Sequence, residues 1–193
     1  MQARTSVAIL LFGALVAAVA LEAERPARVR PTIPPGLDLY LPVPEDNELT
    51  PQRVALGRRL FFDPILSRDG SLACASCHRP ERAFTDDRPV SVGVFGRQGR
   101  RRVPKLLNRA WGRAHFWDGR ASTLEEQVLR PIEDPNELDL PLEEAIARLG
   151  AHADYARQFE GPSEAHPPPT TWPGRWPAMC ARFSLATRPL TTT

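Results

Sequence analysis

Hydrophobic residues between positions 49 and 160 recur at helical spacing, and no alternating strand pattern or internal repeat is visible. One predicted helix begins at Pro51, behind the N-cap residue Thr50, and ends at Asp63, before a second proline. Its apolar face consists of Val54, Leu56, Leu60 and Phe61. Ser71 is predicted to cap a short second helix, which follows a turn at Asp69-Gly70. The pattern therefore predicts an all-α domain over residues 49–160.

Further helices are expected in the second half of this domain. One is predicted over 104–113, and another begins behind a capping box at Ser122-Thr123-Leu124-Glu125 and stops at Arg130, before Pro131. An amphipathic helix over 142–149 should be closed by Gly150, and a last helix is predicted over 153–159. Prolines and glycines between residues 79 and 103 predict long irregular loops, which could pass over one face of a large ligand.

Both ends of the chain differ from this domain. Residues 1–20 are predicted to be a signal peptide, with a charge at Arg4, an apolar run over 7–21 and a small-residue cleavage site at 18–20. An uncleaved anchor is the alternative, but this run is shorter than the roughly 20 residues that span a bilayer. Residues 21–48 are a proline-rich leader, and residues 161–193 have no readable amphipathic pattern. Export predicts a periplasmic protein.

The amino-acid composition excludes only a few classes of function. Hydrophobic residues make up 42% and charged residues 25% of the chain, which is near the average for globular proteins. The net charge of +2 gives no argument for binding nucleic acid or an anionic membrane. Nearly all basic residues are arginine, with Lys105 the only lysine, which indicates a GC-rich coding sequence.

Cys74-Ala75-Ser76-Cys77-His78 carries the candidate chemistry. Two thiols at this spacing, followed directly by an imidazole, form the attachment signature of one covalent c-type haem, with His78 as the iron ligand. A zinc site is an alternative, but it needs four ligands, and the other candidates are scattered without pairing. These candidates are Cys180, His115, His152 and His166. A disulfide between Cys74 and Cys77 would leave His78 unexplained.

The motif stands within a wider resemblance. Residues 55–64 (ALGRRLFFDP), the haem motif, residues 84–86 (FTD) and residues 116–121 (FWDGRA) follow in that order, and residues 124–127 (LEEQ) and 131–132 (PI) continue the pattern. From residue 49 to 159 the chain resembles the N-terminal, peroxidatic haem domain of the bacterial di-haem cytochrome c peroxidases, a family that includes the enzyme maturing the tryptophan-derived cofactor of methylamine dehydrogenase. The resemblance implies a cytochrome c-like fold and the reduction of hydrogen peroxide to water. It also implies an electron donor that is a small cytochrome c or a cupredoxin.

The resemblance also implies roles for individual residues. Trp117 corresponds to the tryptophan that assists electron transfer between the two haems. Gln127 and Glu137 match the glutamine and glutamate of the distal pocket, where the glutamate moves the proton during peroxide cleavage. A carboxyl group with a raised pKa suits that role, although Glu137 as a solvated surface residue is the alternative. Arg120 is expected to be structural, pairing with a haem propionate or a carboxylate.

Two positions depart from the family pattern. Many members have a histidine sixteen residues after the proximal one, which blocks the iron until the enzyme is reduced, and Val94 occupies that position here. Valine cannot bind iron, so we expect a five-coordinate haem that is open to peroxide. Arg102 stands where the family supplies an asparagine to a calcium site, which argues against calcium binding.

The larger departure is the missing second domain, which in the family carries the haem that receives electrons. This sequence has one CxxCH motif, and its methionines are Met1 and Met179. A frameshift is one explanation, since degenerate GC-rich codons for residues 169–192, read one base earlier, permit an ordinary helix and turn. A disordered tail is the other. A lone domain would expose its apolar interface and could associate as a homodimer. The alternative to a peroxidase is a mono-haem electron-transfer or haem-binding module without turnover.

Overall fold

The computed structural model describes residues 28–29, 32–41, 43 and 49–160. The predicted signal peptide and the predicted tail lie outside these residues, as does part of the leader. The described part contains five α-helices, joined by loops and single 3₁₀ turns. The helices are α1 (Pro51–Phe62), α2 (Cys74–Cys77), α3 (Leu124–Glu133), α4 (Leu142–Ala151) and α5 (Ala153–Glu160). Isolated β-bridges occur in these residues but no strand, so the all-α prediction is confirmed.

Helix α1 begins and ends where the sequence predicts. The hydroxyl group of Thr50 accepts a hydrogen bond from the backbone N–H of Arg53, and Pro51 occupies the first turn, where its missing N–H costs nothing. Asp63 ends the helix and caps the following 3₁₀ turn by accepting a bond from the N–H of Ile65 at 2.9 Å. The predicted helix at the end of the domain is also present, as α5.

The start of α2 and the start of α3 are each placed differently from the prediction. Ser71 does not cap α2. It bonds to Asp69, and Ser76 accepts the N–H of the N-cap residue Ala73 at 3.0 Å. The cap of α3 lies one residue later than predicted: Thr123 accepts the N–H of Glu126, whose carboxylate accepts the N–H of Ser122.

Two predicted helix ends are wrong. Helix α3 continues through Pro131 to Glu133, because Ile132 in its last turn is buried in the core and its burial outweighs the loss of one backbone donor. Helix α4 includes Gly150 and ends at Ala151.

The helix predicted over 104–113 is also wrong, since only the 3₁₀ turn Arg109–Trp111 forms there. Asn108 has a φ of 58°, in the left-handed region, which interrupts any continuous helix. The segment is held by contacts to other parts of the chain. The indole N–H of Trp111 donates to the carbonyl group of Asp38, in the leader, at 2.9 Å.

One hydrophobic core joins the two ends of the domain. It is formed by residues of α1, α3, α4, α5 and the loops between them, namely Leu56, Leu60, Leu66, Ile132, Leu138, Leu140, Ala145, Leu149 and Tyr155. The hydroxyl group of Tyr155 donates to Asp63 at 2.6 Å, and the guanidinium of Arg59 lies over the Tyr155 ring. Burial and Asp63 raise the pKa of Tyr155, so the phenol stays a donor. These contacts fix α5 against the end of α1.

Arg148 on α4 holds the segment that leads to the haem motif. Its guanidinium donates to the carbonyl groups of Ser67 at 2.7 Å, Arg68 at 3.1 Å and Ile65 at 3.4 Å. Glu144, one turn earlier, accepts from both Arg148 and Arg68. The path of residues 65–68 is therefore set by a helix that follows them by more than 70 residues. No helix among the described residues has the length and apolar character needed to cross a membrane.

We expect Leu140→Ala to lower the free energy of unfolding by about 2–5 kcal/mol, because Leu140 is fully buried in this core and the truncation leaves a cavity. Urea unfolding of the haem-loaded chain measures the change. Leu39→Ala is the matched control, since Leu39 is 85% exposed, and it should change stability by less than about 0.5 kcal/mol. Equal effects of the two substitutions would contradict this description of the core.

Candidate functional site

A cavity of about 670 Å³ lies beside the haem motif. This volume falls within the range of about 300–1,000 Å³ that is usual for cofactor sites. Its apolar wall includes Leu60, Phe61, Leu66, Leu72, Val128, Ile132 and Leu138. All six residues that the sequence singles out also line it, namely Cys74, Cys77, His78, Trp117, Gln127 and Glu137. The fold therefore gathers into one cavity residues that are up to 63 positions apart in the chain.

His78 is held in one tautomer. Its Nδ1 atom lies 2.9 Å from the carbonyl oxygen of Phe84, which can only accept, so Nδ1 carries the proton. The Nε2 lone pair is then available to a metal ion. Burial lowers the pKa of His78, which keeps the imidazole neutral, as an iron ligand has to be. Phe84 adopts a φ of 58°, and this left-handed backbone turns its carbonyl group toward His78.

Cys74 and Cys77 are free thiols. Burial raises the pKa of Cys74 to about 12 and that of Cys77 to about 11, and the charge of Glu137 contributes to both shifts. The side chain of Glu137 therefore lies near enough to the motif to act on it electrostatically. Among the described residues, no group of three or more histidine, cysteine, aspartate or glutamate side chains could hold a metal ion. A zinc site therefore finds no support in this part of the chain.

The residues present fit a c-type haem. Two thiols and a neutral, oriented imidazole stand at the wall of an apolar cavity of suitable size. Of the described residues lining the cavity, His78 is the only one with an imidazole or thioether group. Val94 is buried and contributes its backbone N–H to Glu137, so no histidine or methionine reaches the cavity from that position.

Glu137 is a half-buried carboxyl group with a raised proton affinity. Burial and the neighbouring charge of Asp134 raise its pKa to about 7, against an opposing effect of Arg120. A carboxyl group with this pKa exchanges protons readily near neutral pH. Asp134 and Asn136 form a turn before it, in which Asp134 accepts the N–H of Asn136 at 2.8 Å. Gln127 lines the same cavity from α3.

The loop 91–98 clamps the turn that carries Glu137. The N–H of Val94 donates to the carbonyl group of Glu137 at 2.8 Å, and Arg97 donates to the carbonyl group of Pro135 and to Asp139, each at 2.8 Å. Gly93 permits this approach, because a Cβ atom there would lie 2.1 Å from the carbonyl oxygen of Asn136. The position of Glu137 is therefore fixed by backbone contacts from a different segment.

Trp117 lies at the mouth of the cavity. It is 61% exposed, and its indole N–H donates to the carbonyl group of Arg102 at 2.8 Å. Next to it, Arg120 pairs with both carboxylate oxygens of Asp118 and lies over the ring of Phe116 at 3.6 Å. Arg120 was predicted to pair with a haem propionate or a carboxylate, and the carboxylate that it contacts is that of Asp118.

Sequence reasoning missed several residues that build the site. The orienting role of Phe84 depends on its backbone conformation, for which residue type gave no signal. Gly93 and Arg97 act on a turn some forty positions away. Asp86, which the resemblance included without a role, is buried; its charge adds to the effect of burial that raises the pKa of Cys77, and it opposes the larger effect of burial that lowers the pKa of His78. Its backbone carbonyl group accepts from Arg102 at 3.0 Å.

Comparisons with known proteins agree on the family to which the chain is similar. A family model described as di-haem cytochrome c peroxidase matches residues 51–171. The chain is 46% identical over 119 residues to the methylamine utilization protein MauG of Methylorubrum extorquens, covering 62% of this chain and 34% of that protein. It is 35% identical over 127 residues to the cytochrome c551 peroxidase of Pseudomonas aeruginosa, covering 63% of this chain and 37% of that protein. The chain thus spans about a third of the length of these relatives.

Solved structures include similar folds. A MauG-like protein associated with microbial copper homeostasis superimposes with a TM-score of 0.65 at 36% identity, covering 81% of this chain and 47% of that one. The di-haem peroxidase BthA of Burkholderia thailandensis superimposes with a TM-score of 0.61 at 28% identity, covering 83% of this chain and 41% of that one.

We expect Gly93→Ala to displace the turn that carries Glu137, because the added Cβ atom collides with the backbone of Asn136. The free energy of unfolding should fall by about 1–3 kcal/mol. Hydrogen exchange of the Val94 amide should accelerate, since its bond to Glu137 is lost.

Gly112→Ala is the control for this substitution. A Cβ atom added at Gly112 would lie 3.0 Å from a side-chain nitrogen and 3.1 Å from the backbone oxygen of Arg109, so any strain falls on the turn 109–112 and not on loop 91–98. It should leave the exchange of the Val94 amide unchanged. Unchanged exchange in Gly93→Ala as well would show that loop 91–98 does not clamp the turn.

Proposed function

Because the chain belongs to the di-haem cytochrome c peroxidase family, we propose that it reduces hydrogen peroxide to water at one covalent haem c bound by Cys74, Cys77 and His78. The electrons would come from a small cytochrome c or a cupredoxin, and the protein would work in the periplasm after export through residues 1–20. The observation that carries the proposal is the presence of Glu137, with its pKa of about 7, in the cavity that contains the haem motif. The names of the relatives, which include cytochrome c peroxidases, support the same activity.

Each side chain of the cavity would have its own part in the reaction with peroxide. When bound, the haem supplies an iron centre that binds peroxide and exchanges electrons. His78 would hold the iron through Nε2, with the carbonyl group of Phe84 fixing the ring. The carboxylate of Glu137 would accept the proton of one peroxide oxygen and return it to the departing oxygen. The amide of Gln127 can orient the peroxide by hydrogen bonding, while the apolar wall excludes bulk water.

Trp117 is suited to the exchange of electrons with a partner. Its indole ring lines the cavity, and 61% of the residue is exposed to solvent. The ring therefore reaches from the cavity to the surface. The hydrogen bond from its N–H to Arg102 holds the ring in place. A homodimer through the exposed apolar residues of this part of the chain, such as Phe95 and Leu107, stays a prediction.

Glu137→Gln should lower the rate constant for the reaction with hydrogen peroxide by about 10²–10⁴-fold, because the amide cannot accept the proton. In the unsubstituted protein the rate constant should rise with pH through about 7, as the carboxyl group loses its proton and becomes the base. This rise should be absent in Glu137→Gln. Stopped-flow mixing of the haem-loaded chain with peroxide measures both effects.

Glu133→Gln is the matched control, since Glu133 is an exposed carboxyl group in the last turn of α3 and does not line the cavity. Its rate constant and pH profile should equal those of the unsubstituted protein. An unsubstituted chain that binds haem but does not react with peroxide would instead support the alternative, an electron-transfer or haem-binding module without turnover.

The ferric haem-loaded chain should have a high-spin optical spectrum. The described residues that line the cavity offer the iron no second imidazole and no thioether. Val94 stands at the position where many members of the resembling family have a histidine. A low-spin, six-coordinate spectrum would contradict the expectation of an open coordination position. Electronic absorption and electron paramagnetic resonance spectra of the ferric protein decide between the two.

A further inference from the structure

Asp86 is a buried carboxylate near the haem motif, and the proposed reaction with peroxide does not use it. Only 3% of the residue is exposed, and its Oδ1 atom has no hydrogen-bond partner among the described residues. Burying a carboxylate oxygen without a donor costs free energy, so such an atom is uncommon in folded proteins. A buried charge in this position therefore calls for a role that offsets its cost.

Hydrogen bonds of its two preceding neighbours hold Asp86 close to His78. The carbonyl group of Phe84 accepts the bond from Nδ1 of His78 at 2.9 Å. Thr85, which is also buried, donates from its hydroxyl group to the carbonyl group of Val103. The segment that carries Asp86 is thus fixed on one side to the imidazole and on the other to a separate part of the chain.

The charge of Asp86 reaches the side chains of the haem motif. Burial lowers the pKa of His78, and the charge of Asp86 opposes this effect. Burial raises the pKa of Cys77, and the charges of Glu137 and Asp86 add to that effect. Asp86 is not among the described residues that line the cavity, so it acts on the motif through space and not by contact with a cofactor.

The cations around Asp86 do not pair with its carboxylate. Arg102 donates to the backbone carbonyl group of Asp86 at 3.0 Å. Arg79 lies 2.8 Å from the carboxylate of Glu81 and 3.7 Å from that of Asp87. Within the described chain, the buried negative charge therefore stands near the imidazole without a counter-ion of its own. Burial also means that salt screens it much less than an exposed charge.

We propose that Asp86 stabilises the ferric form of a haem bound by His78 and thereby lowers its reduction potential. This role rests on the haem attachment proposed above, and not on the reaction with peroxide. Reduction adds one electron to the iron, so the haem loses one unit of positive charge. A buried negative charge nearby favours the more positive, ferric form. Asp86 thus holds the site in the oxidation state that is expected to be open to peroxide.

Reduction potentials of the haem-loaded full chain test the proposal. In a spectroelectrochemical titration, an electrode supplies one electron to each iron, and the absorption spectrum gives the ratio of ferrous to ferric haem. Asp86→Asn removes the charge with little change in shape, and the backbone carbonyl group that binds Arg102 stays in place. At a fixed potential this ratio should rise by roughly tenfold, which equals an increase of about 59 mV in the potential of a one-electron couple.

Asp87→Asn is the matched control. It removes the same charge one residue later, from an exposed side chain that lies near Arg79 and Arg82. It should change the ratio by less than about twofold, and in about 1 M salt its effect should vanish, because exposed charges are screened there. The shift caused by Asp86→Asn should persist in the same salt.

The proposal is wrong if the two variants have the same potential, or if salt removes the shift of Asp86→Asn. A purely structural role for Asp86 predicts a lower urea midpoint with an unchanged potential. Asp86→Ala is the second variant, and its potential should shift in the same direction. If neither variant folds around haem, Asp86 is structural and the proposal fails.

The rate of reaction with peroxide reports the proposed function separately. A chain that binds haem and shows the shift in potential, but does not react with peroxide, retains the role of Asp86 and loses only the peroxidase function. A chain that reacts with peroxide and shows no shift loses only the role of Asp86. A chain that binds no haem at His78 contradicts both.

Discussion

The hydrogen bond between Nδ1 of His78 and the carbonyl oxygen of Phe84 is the interaction on which the site depends. It decides which nitrogen of the imidazole can bind iron, and it ties the haem motif to the loop that follows it. The left-handed backbone at Phe84 makes this bond geometrically available. Without it the ring could rotate or change tautomer, and neither nitrogen of His78 would be held ready to bind a metal ion.

A second set of backbone contacts fixes Glu137, the residue proposed to transfer the proton. The position of Glu137 is set because Val94 and Arg97 bond to its turn and Gly93 leaves room for that contact. Burial and the charge of Asp134 then keep the proton affinity of its carboxyl group high. The loop 91–98 thus positions Glu137, and its own residues include no histidine or methionine.

Features that depend on local signals could be predicted from the sequence. The cap at Thr50, the proline at position 51 and the spacing of the haem motif act within one helical turn, and the structure has them where they were expected. Features set by distant contacts were not predictable in this way. Burial of Ile132 carries α3 through Pro131, and the leader contact of Trp111 accompanies an irregular chain where a helix was expected. The cavity residues could be named from family motifs, but their clamping by loop 91–98 could not.

The contacts of Arg148 bear on the order in which the site can form. A chain made from its N-terminus presents Cys74 and Cys77 long before Arg148 has been added, and Arg148 is the residue that fixes the backbone of residues 65–68 ahead of the motif. During that interval the two thiols lie on a segment without its final support. A haem attached during that interval would meet an open chain, and the later packing of α4 would close the fold around it.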